Sequence, residues 1–134
     1  MIRTALLAIA LMATTAPAWA ELPPHVYQRA RADADTVMII EVREVIGLAD
    51  TQTSGICMVR GIATEIQRGD RHHVGDHVSV ATPCVGPAYQ AMPGPFPGYD
   101  ARALQSIQRA LVFLKDGQLV ARGLEDRSPP VAVR

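Results

Sequence analysis

The sequence has few of the residues on which nucleic-acid-binding proteins and many enzymes depend. Only 4% of its 134 residues are aromatic, and its 13 basic and 13 acidic residues balance. No basic cluster is present that could neutralise the phosphates of a nucleic acid. No nucleophile elbow, phosphate-binding glycine loop or zincin signature occurs either. We therefore expect a protein that is not an enzyme and that does not bind nucleic acid.

Long apolar runs are also missing, apart from one stretch near the N-terminus. Arg3 precedes an uncharged run over residues 4–16, and Ala18-Trp19-Ala20 then provides a small-x-small pattern. This arrangement is typical of a secretory signal peptide over residues 1–20. The run is shorter than the roughly 20 apolar residues of a membrane span, although an uncleaved anchor is the alternative. We expect cleavage after Ala20 and a periplasmic or secreted protein that is not an integral membrane protein.

The rest of the chain has the length of one domain. Residues 21–125 fall within the usual size of a single core, and residues 126–134 are charged and then proline-rich. We expect a single domain followed by a flexible C-terminal tail.

Cysteine is scarce, since only Cys57 and Cys84 are present. In an exported chain an even number of cysteines is most simply interpreted as a disulfide. Such a bond would stabilise the fold by about 3–4 kcal/mol in the chain-entropy model. The alternative is a pair of metal-binding or redox thiols, but the separation is far from Cys-x-x-Cys.

The apolar residues mostly follow the two-residue period of β-strands. Strands are predicted at residues 36–46, 56–68 and 77–82, and a hairpin is predicted around Asp116-Gly117. Gly61 indicates a bulge or bend in the second strand. Short helices are predicted over residues 25–34 and 101–108, the second beginning after Asp100 as N-cap. This pattern predicts a mainly β fold, a small five-stranded OB-like barrel with one or two short helices, with a β-sandwich as the alternative.

Several short segments occur in an order that resembles a known group of secreted domains. They are Ala34-Asp35-Thr36-Val37, Arg68-Gly69, the run from Val74 to Val80, Cys84 with Gly86, and the run from Arg109 to Leu114. Their order, from Ala34 to Gly117, resembles the netrin/tissue-inhibitor-of-metalloproteinase type of OB-like domain and its bacterial relatives. The resemblance implies the fold. Inhibitor members chelate a protease metal with a mature N-terminal cysteine, whereas Glu21 stands here, so protease inhibition is not implied.

Three of the four histidines lie close together in the segment "RGDRHHVGDH". Imidazole binds Zn, Cu and Ni, and a nearby carboxylate can add a fourth ligand. The candidate metal ligands are His72, His73, His77 and Asp76. The simpler interpretation is that exposed histidines flank a turn at Gly75-Asp76. The integrin tripeptide Arg68-Gly69-Asp70 is likewise interpreted as a turn after a strand.

The segment 83–99 is the strongest candidate for a contact surface. Eight of its seventeen residues are proline or glycine, and long loops in compact domains often carry function. Its larger side chains are Tyr89, Met92, Phe96 and Tyr99. The alternative is that these side chains only cap the end of the barrel. We expect a non-enzymatic binding module for an envelope or extracellular protein or a small ligand, with no cofactor, and a periplasmic Zn, Cu or Ni binder as the alternative.

Overall fold

The computed structural model describes residues 22–90 and 98–130. The predicted signal peptide, Met92, Phe96 and residues 131–134 lie outside the described residues. The elements, in chain order, are α1 (Pro24–Ala32), β1 (Thr36–Ile46), β2 (Ser54–Arg68), β3 (His77–Val85), β4 (Tyr99–Asp100), α2 (Ala101–Ser106), β5 (Arg109–Lys115) and β6 (Gln118–Asp126). Within these ranges, neither helix has the length and apolarity to cross a membrane.

The strands form one sheet in the order β4-β3-β2-β1-β5-β6, which curls into a half-barrel. The mainly β prediction is confirmed. A five-stranded sheet was wrong, since β4 adds a sixth strand by pairing Tyr99 and Asp100 in parallel with Cys84 and Val85. Two residues are too few to show the alternation that reveals a strand in a sequence. The β-sandwich alternative was also wrong, because all six strands belong to one sheet.

The third strand continues into the proline-rich segment, beyond the end predicted at Thr82. Pro83 lies opposite Ile56 of β2, and β3 ends at Val85. Proline is tolerated in a strand whose nitrogen faces an open edge. On its far side β3 has a described strand partner only at Cys84 and Val85, which leaves such an edge at Pro83.

The bulge predicted at Gly61 of β2 was wrong in its strand: opposite Gly61 the extra residue lies in β1, which pairs antiparallel with β2. Gly61 pairs with Val42, and the register shifts between Val42 and Glu44 on the facing strand. A Cβ atom at Gly61 would clash with the carbonyl oxygen of Glu41. Glycine is therefore required here because the two backbones approach too closely for any side chain, and the bulge helps the sheet to curl.

The concave face of the sheet contains the main core. Its buried members are Met38, Ile40, Cys57, Val59, Ala63, Val78, Val80, Cys84, Leu104, Ala110, Val112, Leu114 and Leu124. In β2 and β3 these residues alternate with exposed ones, as expected for a sheet that faces the core on one side. The predicted disulfide between Cys57 and Cys84 is confirmed, and both residues are fully buried. Neither thiol is free for metal or redox chemistry.

The first helix lies against the convex side without burying any of its own side chains. Arg31 attaches it to β6, since its guanidinium pairs with Glu125 at 3.3 Å and donates to the carbonyl oxygen of Arg122 at 2.7 Å. The same guanidinium stacks on Phe113, 4.8 Å from the ring centre. Arg68 of β2 donates to three carbonyl oxygens at the end of the helix, including that of Ala34 at 2.9 Å. The contacts of Arg31 and Arg68 therefore hold α1 on the sheet, a role that a buried apolar helix face usually has.

The predicted hairpin joins β5 and β6, with positive φ angles at both Asp116 and Gly117 as a type I′ turn requires. Asp35 fastens it from outside the hairpin, because its carboxylate accepts a hydrogen bond from the Asp116 N–H at 2.9 Å. Its other oxygen accepts from the Thr36 hydroxyl at 2.9 Å. These two bonds, that from the Asp116 backbone above all, hold the pKa of Asp35 below its usual value.

The start of the predicted tail is bonded to the sheet. Arg127 N–H donates to the carbonyl oxygen of Arg109 at 2.8 Å, and the Ser128 hydroxyl accepts from the Gln108 N–H at 2.8 Å. A flexible tail therefore stays a prediction for the residues that follow.

Candidate binding surface

Tyr99, one of the four predicted contact residues, closes the half-barrel. Its hydroxyl accepts a hydrogen bond from the backbone N–H of Leu124 and donates one to the carbonyl oxygen of the same residue, both at 2.9 Å. Burial raises the pKa of the Tyr99 phenol. Since Tyr99 belongs to β4 and Leu124 to β6, one side chain bridges the two edge strands of the sheet.

The other loop residues are placed only in part. Tyr89 is half-buried, and its backbone N–H donates to the carbonyl oxygen of Gly86 at 3.1 Å. Met92 and Phe96 lie outside the described residues. The assignment of these side chains to a contact surface stays a prediction.

An apolar group that the sequence did not reveal lies on the convex face of β1, β2 and β3. We call it the outer patch, and it consists of Ile46, Ile56, Met58, Ala81 and Pro83. Met58 lies between Ile46 and Ala81 in the register, and Ile56 lies opposite Pro83. Ile56 is 62% exposed and Ile46 is 42% exposed. The patch ends at Pro83, where the predicted contact loop begins.

The sequence does not reveal the outer patch, because "ICMV" is continuously apolar. An unbroken run gives no indication of which residues face the core. The disulfide settles the matter, since burial of Cys57 on the concave face places its neighbours Ile56 and Met58 on the convex face. An ion pair between Arg60 and Glu44, 3.5 Å apart, follows the patch along β2.

The histidine segment forms a turn, as the simpler interpretation predicted. Asp76 closes it by accepting from the His73 backbone N–H at 2.8 Å, and Gly75 takes a φ of 95°. The His73 imidazole lies 3.9 Å from the Asp76 carboxylate. Among the described residues no group of three or more histidine, cysteine or acidic side chains could hold a metal ion. The Zn, Cu or Ni site proposed at His72, His73, His77 and Asp76 thus has no supporting geometry and stays a prediction.

The integrin tripeptide is also part of the scaffold. The Arg68 side chain is bonded to the carbonyl oxygens beyond α1, and Gly69 has a φ of 91° next to the backbone of Asp35. Both observations agree with its interpretation as a turn.

Comparison of the chain with protein-family models, with curated proteins and with solved structures found no match. The resemblance to netrin-type domains is untested by these comparisons and stays a prediction.

Proposed function

We propose that this chain is an exported, non-enzymatic binding module that contacts an envelope or extracellular protein. The outer patch, together with the loop of residues 83–99 that continues from it, forms the contact surface. The observation that carries the proposal is the 62% exposure of Ile56, which lies opposite Pro83 at one end of an apolar group on a sheet face. Isolated exposed apolar side chains are ordinary, but neighbouring ones on a rigid sheet are typical of interaction sites.

The location in this proposal rests on the disulfide and on the N-terminal sequence. A buried disulfide is typical of proteins that mature in an oxidising compartment. The signal-peptide pattern of residues 1–20 supports export, with cleavage after Ala20. Together they favour the periplasm or the extracellular space.

The chemistry of the patch favours a protein as the partner. Its five side chains carry no charge, and strands β1 to β3 hold them in a fixed arrangement. A preformed apolar surface loses little side-chain entropy on binding, which favours association with a complementary surface. The half-barrel, bridged by Tyr99 between its edge strands, supports the predicted OB-like barrel as the scaffold.

The test replaces one residue of the patch and compares it with a matched control. Ile56→Lys introduces a charge within the patch, whereas Val74→Lys introduces one at a similarly exposed apolar residue outside it. Val74 is 67% exposed and lies in the turn after β2, away from the patch. A photo-crosslinker placed at position 58 in the exported protein should capture a discrete partner in intact cells.

Once the partner is identified, we expect Ile56→Lys to weaken its binding about tenfold, because the lysine charge would be buried in the interface. Val74→Lys should bind as wild type does. Equal affinity of the two variants, or no discrete cross-link at position 58, contradicts the proposal. Thermal unfolding of both variants checks that the fold is retained.

A further inference from the structure

A separate cavity of about 240 Å³ lies at the loop end of the half-barrel. Three connecting segments form it: residues 47–52 between β1 and β2, Gly86 with Pro87 after β3, and helix α2. The mouth of a small barrel is a common place for ligand sites. The volume is large enough for a molecule of amino-acid size.

Hydrogen bonds fix two of these walls in place. The Ala49 N–H donates to the Gln52 side chain at 3.1 Å, and the Gln52 N–H donates to the carbonyl oxygen of Ala49 at 2.9 Å. On the opposite wall Gln105 donates from its side chain to the carbonyl oxygen of Val45 at 3.2 Å. Asp100 caps α2 by accepting from the Arg102 N–H at 2.8 Å. The cavity is therefore largely preformed.

Two glycines keep the walls close together. A Cβ atom at Gly47 would lie 2.9 Å from the side-chain nitrogen of Gln105, and one at Gly86 would lie 3.0 Å from the carbonyl oxygen of Gln52. Both contacts are tighter than ordinary packing allows, and Gln105 and Gln52 also line the cavity. A larger residue at Gly86 would push against the loop backbone, whereas one at Gly47 would require the Gln105 side chain to move.

Opposite charges line this cavity, one from each of two of the segments that form it. Asp50 lies at the tip of the β1–β2 loop and Arg102 lies in the first turn of α2; both are exposed. Within the described residues neither one forms an ion pair. Leu48 also lines the cavity, packs against the main core and supplies an apolar surface.

We propose that this cavity binds a small zwitterion of amino-acid size. The Arg102 guanidinium takes the carboxylate, for which its planar donors are suited, and Asp50 takes the ammonium group. The aliphatic part of the ligand lies against Leu48. A ligand with only one charge would leave either Asp50 or Arg102 without a partner of opposite charge. The cavity shares Gly86 and Pro87 with the proposed contact loop but contains no residue of the outer patch.

The test is an NMR titration of the ¹⁵N-labelled mature protein with a panel of the common amino acids. The best binder is then compared with its N-acetyl form, which lacks the ammonium charge, and with its amide, which lacks the carboxylate. We expect saturable shifts at residues 47–52 and 101–105, and affinities at least about fivefold weaker for both single-charge forms.

Charge-removing variants assign the two contacts. Asp50→Asn should make the free and N-acetyl forms bind alike, and Arg102→Gln should do the same for the free and amidated forms. Arg109→Gln, on the convex face of β5, is the matched control and should bind as wild type does. Ile56→Lys should also bind normally, which separates this site from the proposed protein-binding function.

Two outcomes overturn the proposal. One is the absence of any saturable shift at these residues with every amino acid of the panel up to about 10 mM. The other is equal affinity for the free, N-acetyl and amidated forms, which would mean that neither charge is recognised.

Discussion

Both ends of the half-barrel have side chains that bond to distant backbone groups, but only the loop end is also joined by a disulfide. At the hairpin end, formed by residues 33–35, 69–76 and 115–118, side chains bond to backbone groups of distant segments. Asp35 holds the β5–β6 turn there, and Arg68 holds the end of α1. At the loop end, formed by residues 47–53, 86–90 and 98–106, the Cys57–Cys84 disulfide and the Tyr99 hydroxyl make the long-range connections nearby.

This difference accounts for where free chemical groups remain. At the hairpin end Asp35 and Arg68 are bonded to backbone groups, although the buried Nδ1 of His72 has no hydrogen-bond partner among the described residues. At the loop end two strong connections leave the surrounding charges, Asp50 and Arg102, without ion-pair partners among the described residues. Ligand-binding loops need such unused groups on a rigid base. The loop end therefore contains the proposed cavity and part of the proposed contact loop.

Of the variants considered, removal of the disulfide should change the stability of the loop end, relative to the hairpin end, most strongly. We expect Cys57→Ala/Cys84→Ala to lower the free energy of unfolding by about 3–4 kcal/mol, because the unfolded chain regains conformational freedom. Urea denaturation measures this change. Hydrogen exchange should show that the loop end opens first, with residues 47–53 losing protection before residues 115–118. Uniform loss of protection at both ends would contradict the distinction between them.

Tyr99→Phe should have the next largest effect. It removes the two bonds to the Leu124 backbone and leaves a buried N–H and carbonyl oxygen unsatisfied, which costs about 1–3 kcal/mol. The matched control is Tyr27→Phe, which keeps the ring that Arg122 stacks on. Urea denaturation of the two variants should separate them, and a similar loss for both would show that the Tyr99 hydroxyl does not bridge the sheet edges.

Asp35→Asn should have the smallest effect on stability, and the size of this effect should depend on pH. The pKa of Asp35 is lowered in the folded protein, so its stabilising contribution is present above its unfolded pKa and is lost as the pH falls through the folded value. The difference in urea midpoint between wild type and Asp35→Asn should be largest above about pH 5 and vanish well below about pH 4. Asp33→Asn is the control. A pH-independent difference would show that the carboxylate charge does not hold the hairpin.

Much of the fold could be predicted because local signals agreed with the tertiary structure. The Asp116-Gly117 pair specifies a turn whose positive φ angles few other residues accept. The bounds of β1 match the prediction because alternation and β-branched residues mark them. Gly61 marks a close backbone approach, which excludes every larger residue, although the bulge opposite it lies in β1.

The parts that were missed depend on pairing between distant segments. β4 forms because Tyr99 and Asp100 pair with Cys84 and Val85, and a two-residue strand is too short to show a pattern in the sequence. The outer patch depends on which face of β2 meets the core. The role of Tyr99 depends on its distance from Leu124, which is twenty-five residues further along the chain.

The sequence by itself determined the strand class, the hairpin and the cysteine pair, because each depends on neighbouring residues or on simple counting. Only the tertiary structure decided which apolar side chains are buried and which form the outer patch. It also decided that Tyr99 closes the sheet and that Asp50 and Arg102 line one cavity. The physical reason is the same throughout: a side chain's role depends on its contacts, and sheet curvature brings together residues that are far apart in the chain.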